Sequence, residues 1–168
     1  MVAAHCFTHL RYSWCFSLAK LCFESKGKTP GQMVLGGYLA LTVRFCMELI
    51  QFPRIPDARG SLSFAQQLPF HIARCYWLYH ITQGSVRGGH AHKTVDRVFI
   101  AMHGIFRVNG IELSHPWEGL RVRPMTWVDL TDFSNGAVCL VLASAEYDEN
   151  DYIRDRAEFD SISASLGR

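Results

Sequence analysis

No Cys-x-x-Cys pair occurs in this sequence, and its six cysteines fall at spacings that fit neither a zinc site nor a small disulfide scaffold. Free thiols in a cytoplasmic setting are the expectation. Long apolar runs are missing too. The longest charge-free apolar stretch is Met33–Val43, well short of the ~20 residues that cross a bilayer, so no membrane partner is expected. Net charge is almost absent: 17 basic against 15 acidic residues leave +2, which argues against nucleic acid as a partner. There is no internal repeat and no low-complexity segment. With 19% charged and 49% hydrophobic residues, the chain has the composition of a folded protein. Its 168 residues make one domain the default.

The small net charge conceals a division. Residues 1–46 carry Arg11, Lys20, Lys26, Lys28 and Arg44 against Glu24 alone, together with Cys6, Cys15, Cys22 and Cys46. Residues 47–168 carry a slight acidic excess and only Cys75 and Cys139. The leading segment lacks the basic start, clean apolar run and small-residue cleavage site of a secretory signal. Its acid-poor composition would also suit an organelle transit sequence. The favoured reading is an N-terminal extension over 1–46, poorly ordered or the product of an upstream start, with the functional domain running over 47–168. Basic character is then no guide to partners.

From Met47 the texture changes to short apolar runs separated by turn residues. Phe70–Tyr79, Val98–His103, Ile105–Val108, Leu120–Val122, Trp127–Leu130 and Ala137–Ala143 read as strands. Asn109-Gly110 is a hairpin turn, and Pro124 and Asn135-Gly136 punctuate the rest. A helical period appears only in Asp151–Leu166, and the acidic stretch Glu146–Asp160 suggests a terminal helix on the outside. Many short strands at turn-marked intervals predict an all-β, antiparallel jelly-roll barrel with a short C-terminal helix.

The stretch that carries chemistry runs from Gly84 through His90-Ala-His92 to Arg97 and Gly104, with spacing G-x5-H-x-H-x4-R-x6-G. Residues two apart on a strand share a face, so His90 and His92 project together. This glycine frame resembles the first cupin motif, in which a glutamate usually stands where this chain has Arg97. The stretch Gly119–Asp129 approximates the second motif, with Asp129 in place of its histidine. A guanidinium has no lone pair to donate and repels a dication. No metal and no other cofactor is therefore expected. Two neutral imidazoles on one face are suited to moving a proton between neighbouring carbons near neutral pH. Tyr79, on the strand entering the Gly84 turn, is a candidate to donate to a developing enolate oxygen, with aromatic core as the alternative.

Five further stretches sharpen the resemblance: Arg74-Cys-Tyr-Trp-Leu-Tyr79, Arg87-Gly-Gly-His-Ala-His-Lys93, Pro124-Met-Thr-Trp127, Asp132-Phe-Ser134 and Leu140-Val-Leu-Ala-Ser144, followed by Tyr147-Asp-Glu-Asn-Asp-Tyr-Ile-Arg154. In this order they resemble the WxcM-like sugar 3,4-ketoisomerase cupins, which act on TDP-4-keto-6-deoxyglucose. The similarity covers about Met47 to Phe159. It implies a metal-free jelly roll, commonly a homodimer with exchanged N-terminal strands, and a TDP-linked keto-sugar as substrate. It also implies that His90, His92 and Tyr79 are catalytic, with His92 making the proton transfers and His90 its partner.

Arg97 departs from the glutamine usual in that family and either pairs with Asp129 or meets the substrate diphosphate. Arg87 is a second candidate for the diphosphate. The connection Arg107–Glu112 is shorter than the family's hairpin, and Thr131 stands where an aromatic residue is common. These departures keep two alternatives open: an epimerase on a similar keto-sugar, and a sugar-nucleotide-binding cupin without catalysis.

Overall fold

The computed structural model describes residues 46–166. The extension expected over 1–46 therefore lies outside the described residues, apart from Cys46. The described chain folds as strands β1 (Met47–Gln51), β2 (Arg54–Asp57), β3 (Gly60–Ser63), β4 (Arg74–Leu78), β5 (Arg87–His92), β6 (Arg97–His103), β7 (Phe106–Val108), β8 (Ile111–Leu113), β9 (Glu118–Val122), β10 (Val128–Thr131), β11 (Val138–Ala143) and β12 (Tyr152–Ile153). One α-helix follows, α1 (Arg156–Ser165). Two five-stranded sheets, ordered β1-β9-β6-β11-β4 and β12-β5-β10-β7-β8, enclose the core, and β2-β3 form a separate hairpin. Every pairing is antiparallel, so the all-β class expected from the sequence holds. No helix among the described residues is long and apolar enough to cross a membrane.

Strand alternation sorts the side chains. On β6, Phe99 and Ala101 join Phe106, Leu113, Leu120, Phe133 and Val141 between the sheets. Val98 and Ile100 face the other way, into a smaller cluster with Phe52 and Leu142. On β5, Ala91 points outward and is covered by Phe159 of α1 and by Ile153, which leaves His90 and His92 on the opposite face. Asn109-Gly110 makes the two-residue turn between β7 and β8, both residues at positive φ (49° and 83°), as a type I′ turn requires. The Asn109 side chain also ties β10 down, donating to Trp127 O at 2.6 Å and accepting from Asp129 N at 2.8 Å.

Two local expectations are corrected. The strand foreseen over Phe70–Tyr79 spans only Arg74–Leu78. Its ladder on β11 runs from Ala143↔Arg74 to Cys139↔Leu78, and His80 leaves it at φ 53°. The acidic stretch Glu146–Asp160 is not a continuous helix. Glu149–Asp151 form one 3-10 turn, Tyr152 and Ile153 pair with the free edge of β5, and the helix begins only after Asp155, whose carboxylate caps the Ala157 and Glu158 amides.

Candidate active site

Gly88 positions the site. At φ 88° it lies where side chains are disfavoured, and a Cβ there would sit 2.4 Å from Val128 O. The register of β5 against β10 shifts at Val128/Asp129, alongside this glycine. The close approach carries β5 across β10 and directs the two histidines that follow into the barrel.

His90 lies on the wall of a cavity of about 310 Å³, which Tyr76, Arg87, Arg97, Tyr152 and Arg154 also line. His92 lies behind it, 1% exposed, with ring centroids 5.2 Å apart at 83°. The Tyr152 ring packs on both imidazoles, 4.9 Å from His90 and 4.2 Å from His92.

Hydrogen-bond partners fix both tautomers. His90 Nδ1 donates to Gly88 O at 3.0 Å, and its Nε2 accepts from Arg97 Nη1 at 3.1 Å. His92 Nδ1 donates to Asp151 Oδ2 at 2.7 Å, leaving a buried Nε2 with no partner among the described residues. Asp151 is itself held by the Thr94 amide (2.8 Å) and hydroxyl (2.7 Å). Burial alone would raise its pKa, but these bonds and that of His92 outweigh it and keep the carboxylate below its usual range. Burial, reinforced by the Arg97 charge, pushes His90 down to about 4, against the opposing pull of the Gly88 carbonyl. The same two causes bring His92 to about 4, against its bond to Asp151. Both imidazoles are therefore neutral at pH 7, and His92 Nε2 keeps a lone pair that no described residue occupies.

Arg97 is as enclosed as His92, at 1% exposure. Its Nε and Nη2 find no hydrogen-bond partner, and burial lowers its pKa. Burial likewise raises the Tyr76 phenol, with the Arg97 charge opposing. At the rim, Arg154 is anchored by Glu149, at 2.8 Å and 3.1 Å. Glu149 is drawn down to about 2 by that guanidinium and by the Tyr147 hydroxyl that donates to it. Arg87, Arg97 and Arg154 make the cavity cationic, and no carboxylate among the described residues lines it. No cluster of His, Cys, Asp and Glu suited to a metal occurs among the described residues.

Two residues expected in the site do not line this cavity. Tyr79 is 56% exposed, past the end of β4 on the outward side with Cys75 and Trp77, and it lines a neighbouring groove. Alternation turns Tyr76 inward instead. Asp129 falls between buried Val128 and Leu130, which line the cavity while it does not. Arg97 accordingly contacts His90 and makes no ion pair with Asp129. Sequence reasoning missed Asp151, Tyr152 and Arg154. Their signal was aromatic and basic residues interleaved in an acidic stretch read as a terminal helix on the outside.

The family described as FdtA, WxcM-like, C-terminal matches residues 46–164. The chain belongs to this family. Among curated proteins, this WxcM-like chain is 37% identical over 130 residues to TDP-4-oxo-6-deoxy-alpha-D-glucose-3,4-oxoisomerase of Aneurinibacillus thermoaerophilus, covering 71% of this chain and 94% of the relative. Among solved structures, it resembles the sugar 3,4-ketoisomerase QdtA from Thermoanaerobacterium thermosaccharolyticum in complex with TDP. The TM-score is 0.68 at 33% identity, over 73% of this chain and 98% of that one. A 3,4-ketoisomerase from Helicobacter canadensis matches with TM-score 0.67 at 36% identity, over 70% and 97% of the two chains.

Proposed function

We propose that this WxcM-like protein is a sugar 3,4-ketoisomerase that moves the ketone of a TDP-linked 4-keto-6-deoxyhexose from C4 to C3. The observation that carries this reading is the pair of neutral histidines at a cationic cavity, His90 on its wall and His92 behind it, backed by a buried carboxylate. Relatives matched over 94% and 98% of their own length are named for that reaction, and one is bound to TDP. The C4 ketone acidifies the C3 proton. His92 Nε2 removes it, reached as the Tyr152 ring moves off, and Asp151 stabilises the imidazolium that forms. The C3–H electrons become the C3=C4 bond, and charge collects on the C4 oxygen. The proton then returns to C4 while the C3 hydroxyl proton passes to the C4 oxygen, leaving a ketone at C3 and a hydroxyl at C4, so no co-reactant is consumed. Arg87 and Arg154 at the mouth suit the diphosphate. Tyr79 and Asp129 have no part in this proposal.

The reacting unit is taken as 47–168, working as a homodimer in the cytoplasm. The dimer is supported by a groove of about 430 Å³ lined by Leu62, Phe64, Met102 and Trp117 on the outer side of the β1-β4 sheet, and light scattering of the full chain checks it. The test of function incubates the full chain with TDP-4-keto-6-deoxyglucose in deuterated water and follows the sugar by NMR. A 3-ketone with deuterium at C4 is expected. Exchange at C3 or C5 with the 4-ketone retained would make it an epimerase, and binding without exchange a silent sugar-nucleotide binder. His92→Asn is expected to lower kcat by about 10²–10⁴-fold.

A further inference from the structure

Arg97 is the residue the reading so far leaves unexplained. An enclosed cation without a counter-ion is costly, because desolvation is not offset by attraction. Here the guanidinium reaches the cavity wall from β6, lies 5.4 Å from the Phe99 ring, and spends one nitrogen on the lone pair of His90 Nε2. Its Nε and Nη2 remain unpartnered. The diphosphate is an unsuitable partner, since Arg87 is exposed at the mouth whereas Arg97 is 1% exposed at the depth of the histidines. A guanidinium edge presents parallel N–H donors that match two adjacent oxygens.

We propose that Arg97 is an anion-holding residue whose unpartnered Nε–Nη2 edge takes two vicinal oxygens of an anion, which in the proposed reaction are the C4 oxyanion and the C3 hydroxyl oxygen of the enediolate. This assignment rests on the ketoisomerase reading and adds a division of labour to it. Arg97 carries the negative charge as it develops on oxygen, the step in which preorganised donors contribute most. It also holds His90 in the neutral tautomer with its lone pair occupied. His92 is then the one imidazole free to move the proton from C3 to C4, so proton transfer is a single-base process. Part of the C3 hydrogen is carried to C4 without exchange.

The test uses the full chain and oxalate, a planar dianion with vicinal oxygens, as a probe that needs no turnover. Oxalate titrated into wild type is expected to shift the His90 Hε1 resonance saturably. Arg97→Gln is expected to weaken that binding at least tenfold and to lower kcat on TDP-4-keto-6-deoxyglucose at least ~100-fold, with TDP affinity within threefold. The Tm of Arg97→Gln is expected to equal or exceed that of wild type, because an uncompensated buried charge is removed; a packing role would lower it. Arg97→Lys, which keeps the charge and loses the edge, is the second variant and is expected to lose oxalate binding as well. Oxalate binding that is absent from wild type, or equal in wild type and both variants, overturns the proposal. So does a folded Arg97→Gln protein with kcat within threefold of wild type. If wild type binds oxalate through Arg97 yet leaves the keto-sugar unchanged, the ketoisomerase reading falls and the anion-holding role stands.

Discussion

Strand β6 crosses two regions of one barrel interior that obey opposite rules. Phe99 and Ala101 meet an apolar cluster in which Phe106 stacks on Phe133 at 5.3 Å. Two residues before Phe99, on the same inward face, Arg97 meets His90, and its Nε and Nη2, like His92 Nε2, have no partner among the described residues. The apolar region follows from close packing and non-directional burial. The polar region keeps partnerless donors and acceptors where burial is costly. A protein tolerates such groups where a ligand is to complete them. The lesson is that stability and chemistry divide along the barrel, not between its layers.

Phe106→Ala probes the apolar side and carries the largest expected effect, a loss of about 3–5 kcal/mol by denaturant unfolding. The folded remainder should keep wild-type kcat; a kcat that falls with stability would break the division. Asp151→Asn probes the polar side. It leaves the His92 ring without its carboxylate, and kcat should fall by about 100-fold with TDP affinity retained. Calorimetry and NMR assays on one preparation separate the two outcomes. Gly88→Ala should cost about 1–3 kcal/mol and misalign β5, so that both Tm and kcat decline; an unchanged Tm would show that the approach to Val128 O is not tight.

The smallest effect is on pH dependence. His90 and His92 stay neutral in the folded protein down to about pH 4, whereas in an unfolded chain they protonate near ~6.5. Between those values the unfolded chain binds more protons, so stability rises with pH and is lost on acidification. A Tm-against-pH curve for His90→Asn should be flatter than wild type over that window. Equal slopes would mean that the imidazole is not desolvated.

Much of this was legible in the sequence, for identifiable reasons. The period of two put His90 and His92 on one face, and the glycines at 84, 88 and 104 framed them. Asn109-Gly110 gave its turn because few dipeptides tolerate two positive φ angles. Tyr76 was missed in favour of Tyr79 because alternation assigns two faces without saying which is inward. Burial of both strand neighbours, not local pattern, decides that. Where Asp129 points was not legible, because the bulge at Val128/Asp129 depends on its partner strand, Gly88 included. Asp151 was hidden by sequence distance: a carboxylate reads as solvated until the fold brings it to a histidine.

That distance has a temporal side. Asp151 follows His92 by 59 positions, and β12 is the last strand of its sheet in chain order. During synthesis from N to C terminus, the strands of both sheets other than β12 leave the ribosome before the carboxylate that orients His92 and the tyrosine that covers it. A chain released early would therefore lack the carboxylate that supports the proposed base. Full activity thus reports not only that the protein has folded but that its translation was finished.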